Sequence, residues 1–155
     1  MTLSNGINHV AVLTRDIDAF TAFYVELFDA EVIFDMNENG LRHAAVDVGA
    51  GAALHAFAVP DDPQAAASSE MFNRGHIDHL AINVSGEAAL YEVGRRLVER
   101  GASDGTVTDF GVLKSISFRD PDGLEAEVAL WRSEPPRPFS ERITTPMSAA
   151  SALQP

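Results

Sequence analysis

The chain has no cysteine and a single tryptophan among its 155 residues. Without cysteine there is no disulfide, no thiolate metal site and no thiol nucleophile, and a reducing compartment suits the chain. Basic side chains are scarce, 11 against 23 acidic ones, for a formal net charge of −12. Such a surface repels phosphate backbones and anionic lipid heads, which disfavours nucleic acid and membrane as partners. No apolar run approaches the roughly 18 residues of a spanning helix, and the first residues lack a basic-then-apolar secretory pattern. A cytoplasmic location is therefore expected. Nearly half of the residues are apolar, enough for one domain-sized unit with a real core.

The most informative stretch is Gly75–Val84, GHIDHLAINV, which alternates apolar residues with His79. A near-copy, INHVAV, occupies Ile7–Val12 around His9. Ile7–Leu13 reads as a strand by its period of two. Asp16 then has the position of a helix N-cap, and Ile17, Phe20, Phe23, Tyr24 and Leu27 follow at helical spacing. Glu31–Met36 and Leu41–Val48 are strands joined by a turn at Asn37–Gly40, and Ala52–Val59 is a further strand after Gly49-Ala50-Gly51. The order to this point is βαβββ.

Pro60–Arg74 is polar and alanine-rich, with two prolines, and reads as a linker. The order then repeats. Ile77–Val84 is a strand, and Ser85 is placed to cap a helix with Leu90, Val93, Leu97 and Val98 inward and Gly101 as its stop. Thr106–Asp109, Leu113–Phe118 and Glu125–Trp131 are strands, the last two flanking the Asp120-Pro121-Asp122-Gly123 turn. The expected organisation is a first module over 1–59, a linker over 60–75, a second module over 76–132 and a tail over 133–155. The tail is rich in Pro, Ser, Thr and Ala; it is expected to lie on the surface or on a partner subunit, or to be mobile.

Two constant offsets support a duplication. His9 and His79 are 70 residues apart, as are Asp16 and Gly86 at the helix entries. Gly51 and Gly123 are 72 apart, and on that offset His55 meets Glu127, each four residues after its turn glycine. His9 and His55 from one module, and His79 and Glu127 from the other, fall by parity on the side of their strands away from the helix.

These motifs, INHVAV, HIDHLAINV and DPDGLEAEV in a doubled βαβββ order, resemble the vicinal oxygen chelate superfamily over roughly residues 7–131. That superfamily includes glyoxalase I, bleomycin-resistance proteins, fosfomycin-resistance enzymes, methylmalonyl-CoA epimerase and extradiol dioxygenases. The resemblance implies an α+β fold in which two tandem βαβββ modules form a curved mixed sheet around a metal-binding cup. The family's ligand glutamate lies four residues after the turn glycine, which selects Glu127 over Glu125; Leu124 replaces the usual asparagine after that glycine. The resemblance also implies a small-molecule substrate and a homodimer, with the cup built within one chain or between two.

His9, His79 and Glu127 are the principal ligand candidates. Two imidazoles and a carboxylate suit a divalent first-row ion such as Fe, Ni, Zn, Co or Mn and leave positions for substrate and water. His55 is either a fourth ligand or a general acid or base, and Glu127 is the other catalytic candidate. His76 reads as a loop residue, and the facing of His43 is left open by its strand. Phe57, Phe110 and Trp131 are cup or core residues; Arg42 and Lys114 either grip an anion or sit in solvent. Arg95, Arg96, Glu92 and Glu99 form a solvated helix face.

The expected reaction is a glyoxalase-type lyase or isomerase step on a substrate that chelates the ion through vicinal oxygens. The alternatives are oxygen chemistry at Fe(II), and drug binding without catalysis. Extradiol enzymes resemble one another in carrying a tyrosine three residues before the Asp-Pro turn and a histidine upstream; here Ser117 stands at that place and no histidine lies between His79 and the turn. Fosfomycin modification shares His9, His79 and Glu127, but no cation-binding loop or thiol-donor site accompanies them.

Overall fold

The computed structural model describes residues 7–65 and 77–150. Two compact units divide the chain, the second beginning after Ser68, with the turn Pro121–Gly123 counted in the first. Each is an α+β module built on its own mixed sheet.

In the first module β1 (His9–Leu13), α1 (Ile17–Phe28), β2 (Glu31–Glu38), β3 (Leu41–Asp47) and β4 (Ala53–Ala58) follow in order, and the sheet runs β1-β4-β3-β2. Asp16 caps α1 as expected: its carboxylate accepts from the backbone N–H groups of Asp18 and Ala19. The apolar stripe of α1, namely Ile17, Phe20, Phe23, Tyr24 and Leu27, is buried. Asn39 and Gly40 both have positive φ, 54° and 91°, which suits the two-residue turn joining β2 and β3. Val46 and Ala44 on β3 face Leu54 and Ala56 on β4, and all four are buried. Each large apolar side chain so buried contributes roughly 1.5–3 kcal/mol.

The second module repeats the plan with β5 (Leu80–Asn83), α2 (Glu87–Glu99), β6 (Thr106–Asp109), β7 (Leu113–Arg119) and β8 (Glu125–Trp131). Its buried layer is Leu90, Val93, Gly94 and Leu97 of α2 with Ile82, Ile116, Phe118, Ala126 and Val128 of the sheet. Three local expectations change. The strand expected from Ile77 begins at Leu80, so His79 stands just ahead of it. Gly86, not Ser85, is the N-cap of α2, and no side chain caps that helix. Val98 is exposed, because it follows Leu97 around the helix away from the sheet. No described helix is long and apolar enough to cross a membrane. The expected linker lies, from residue 66 on, outside the described residues, as does His76.

The chain after Ser133 joins the second sheet. Arg132 N–H donates to the Val112 carbonyl and Arg137 N–H to that of Phe110, each at 2.7 Å. Phe139 then stacks on Phe110. β9 (Ile143–Pro146) adds antiparallel to β6, giving the order β5-β8-β7-β6-β9. Gly111 makes this return possible. Its φ is 78°, and a Cβ there would lie 2.1 Å from the Pro135 carbonyl oxygen, a position open only to glycine. Gly111→Ala is expected to destabilise the protein by about 1–3 kcal/mol and to open the segment after Ser133 to protease. Thermal unfolding and limited proteolysis measure both; an unchanged melting temperature would contradict the role given to Gly111.

Candidate metal centre

In each module the first and last strands run parallel, which places their polar residues in a fixed register. Ala11 pairs with His55, and His9 lies two residues before Ala11. Ala81 pairs with Glu127, and His79 lies two residues before Ala81. Side chains two apart on a strand share a face. The two donors of each module are therefore diagonal neighbours on the face opposite the apolar layer formed by Val10, Val12, Leu54 and Ala56, or Leu80, Ile82, Ala126 and Val128.

The second pair is the closer one: His79 Nε2 lies 4.0 Å from Glu127 Oε2, with both side chains partly exposed. Glu127 Oε1 accepts from the buried Ser115 hydroxyl at 3.1 Å. His79 Nδ1 contacts Asp78 Oδ2 at 2.9 Å. In the first pair the His9 and His55 rings meet edge to face, 5.8 Å between centroids. His9 Nδ1 contacts Asn8 Oδ1 at 2.8 Å.

His43, whose facing the sequence left open, turns to this same face, with Nδ1 2.9 Å from His55 Nε2. Its ring stacks flat on Phe57, at 5.4 Å and 3° between planes, and Phe34 packs edge-on against both histidines. Alternation with the buried Ala44 and Val46 is the signal for its facing, whereas its contact with His55 depends on the pairing of β3 with β4. Burial, and then any charge on His43 and His9, hold His55 below the usual imidazole value of 6.5, so at neutral pH its ring is uncharged.

The remaining candidates are otherwise engaged. Glu125 pairs with Arg119 at 2.9 Å. Arg42 is held by Asp18 and Asp35, and Lys114 by Glu87. Phe57 packs on the two histidines, Phe110 on Phe139, and Trp131 is exposed. Arg95 and Arg96 pair with Glu92 and Glu99 along α2 as expected.

Among the described residues no three His, Asp or Glu side chains converge tightly enough to hold an ion. Each module supplies a pair. The chemistry of the donors nevertheless fits a divalent first-row ion: imidazoles with one nitrogen outside the bonds just described, and a carboxylate with one oxygen outside them.

Two βαβββ modules, each with its first and last strands parallel, define the class of fold. The chain belongs to the Glyoxalase/Bleomycin resistance protein/Dioxygenase superfamily, whose family model matches residues 6–128. A glyoxylase/bleomycin resistance protein/dioxygenase domain from Frankia sp. EAN1pec is similar in structure, with a TM-score of 0.70, 25% identity, and coverage of 84% of this chain and 100% of that one. A glyoxalase family protein from Enterococcus faecalis has a TM-score of 0.62 at 26% identity, with the same coverage. The fosfomycin resistance protein FosX from Listeria monocytogenes, solved as a mutant with Mn(II) and 1S,2S-dihydroxypropylphosphonic acid, shares the fold at 20% identity. Its TM-score is 0.61, with 83% of this chain and 93% of that one covered. No curated protein matches the sequence.

The depressed value at His55 has a consequence for stability. The folded protein binds fewer protons there than the unfolded chain, so the contribution is present above about pH 6.5 and lost as the pH falls below it. Metal-free protein is expected to lose melting temperature between about pH 7 and pH 5, and His55→Gln to flatten part of that slope. A variant with an unaltered slope would contradict it.

Proposed function

We propose that the protein is a divalent-metal-dependent lyase or isomerase of the glyoxalase type, acting on a small substrate that chelates the ion through vicinal oxygens. His9 and His79 with Glu127 are the ligands in this reading. The observation that carries it is the matched register: both modules present a donor pair at the same two strand positions. Membership of the superfamily supports it, as does the Mn(II) in the FosX neighbour.

A bound divalent ion supplies Lewis acidity to the oxygens that chelate it. The rest falls to the chain. His55 has Nε2 engaged by His43, which favours a role as base over one as fourth ligand. Being uncharged, it is able to take a proton from a substrate carbon and return it to a neighbouring one. Phe34 and Phe57 keep water from its flanks and hold the ring in place. Glu127 combines ligation with a negative charge that offsets the charge of the ion.

Purified without chelator, the protein is expected to carry close to one equivalent of divalent metal, and Glu127→Ala to lose metal and activity together. Full occupancy in that variant, read by elemental analysis, would remove Glu127 from the ligand set. His55→Gln should retain the metal while the isomerase or lyase rate falls by about 10²–10⁴-fold; loss of the metal instead would make His55 a ligand.

One observation also favours a second reading. With His55 set aside, two histidines and a carboxylate remain, and that set also serves non-haem Fe(II) oxygenases. Oxygen consumption that requires added Fe(II), and is absent with Ni(II), Zn(II) or Mn(II), would favour dioxygenase chemistry.

A further inference from the structure

Resting on the ligand assignment above, we propose that Asn8, Asp78 and Ser115 are positioning residues that fix which atom of each ligand meets the metal. By engaging the other atom of each group, they leave Nε2 of His9, Nε2 of His79 and Oε2 of Glu127 as the atoms available for ligation. His43 performs the matching act on His55 and thereby sets it apart from the ligands.

The partners obey the same two offsets as the donors. Asn8 and Asp78 are 70 residues apart, each immediately before its histidine, and each meets Nδ1 of that histidine, at 2.8 Å and 2.9 Å. An imidazole that donates Nδ1–H to an oxygen has its lone pair on Nε2, so the neighbour chooses the tautomer. His43 and Ser115 are 72 apart. Each lies on the penultimate strand of its module, diagonal to the last-strand donor: Ala45 pairs with His55 and Ser117 with Glu127, and the two partners stand two residues before those. His43 meets His55 at 2.9 Å and Ser115 meets Glu127 at 3.1 Å. Four candidate donors thus have four partners at repeated positions.

The repeat also marks a difference. Ser115 takes one oxygen of Glu127 and leaves the other within 4.0 Å of His79 Nε2. His43 takes Nε2 of His55, the nitrogen at the tip of the ring. The first module therefore withdraws the outermost atom of its last-strand donor where the second module leaves one available. Asp78 brings a formal charge where Asn8 brings an amide, so the hydrogen bond to His79 is the stronger of the two.

The experiment uses the full chain, with Co(II) as the probe and two readouts. Ring 15N–1H spectra of metal-free protein report the tautomer of His79, and titration with Co(II) reports affinity and the d–d spectrum of the bound ion. The wild type is expected to show Nδ1–H at His79. Asp78→Ala should lose that preference and bind Co(II) about 10–100-fold more weakly, and Asp78→Asn should recover part of both. Ser115→Ala should weaken Co(II) and alter its spectrum, while Ser115→Thr, which keeps the hydroxyl, should resemble the wild type. His43→Phe, which frees Nε2 of His55, should alter the d–d spectrum of bound Co(II) while leaving the His79 tautomer as in the wild type. Wild-type affinity in Asp78→Ala with an unaltered His79 tautomer would overturn the proposal. A wild type that takes up no Co(II), yet shows the Asp78-dependent tautomer, would instead overturn the ligand assignment and support the positioning geometry.

Discussion

Parallel pairing between the first and last strands of each module is the constraint on which the candidate site depends. A parallel pair requires a crossover, and here the helix and the two intervening strands provide it. The pairing brings residues some 46 to 48 positions apart, His9 with His55 and His79 with Glu127, onto diagonal positions of one face. The opposite face is committed to the helix by Val10, Val12, Leu54 and Ala56 in one module and by Leu80, Ile82, Ala126 and Val128 in the other. A slip of one residue would send every donor into the apolar layer and every apolar residue out of it. The core thus specifies the register, and the register specifies the donors.

Beyond that shared plan the two modules differ in chemistry. The donor face of the first is aromatic and imidazole-rich, with Phe34, His43, His55 and Phe57 in ring contact. That of the second is hydroxylic and acidic, with Ser115, Ser117 and Glu127 on neighbouring strands. Burial holds His55 of the first below the ordinary imidazole value, whereas the second contributes formal negative charge.

Much of this was legible in the sequence, because the features that carry it are local and periodic. The Asp16 cap, the stripe of α1, the Asn39-Gly40 turn and the strand from Glu125 to Trp131 each rest on spacing that one element fixes alone. The pairing of His9 with His55 and of His79 with Glu127 on neighbouring strands was legible for another reason: duplication gave two independent copies of the same spacing. What escaped lacked one or the other support. The role of His43 depends on its neighbour across a hairpin. Gly86 begins α2 without a side-chain cap, so the hydroxyl of Ser85 suggested a cap that the backbone did not use. β9 follows a proline-rich stretch whose composition suits a loop, and its pairing with β6 depends on a backbone approach at Gly111 that composition does not reveal.

The change of offset, from 70 ahead of the helices to 72 by the third strands, places the only length difference between corresponding positions in the helix and the segment that follows it. α2 is 13 residues long and α1 is 12. None of the four donors lies in that interval. Insertions and deletions there leave the first, third and last strands in step, so the scaffold can lengthen or reshape its periphery while its chemistry stays in place.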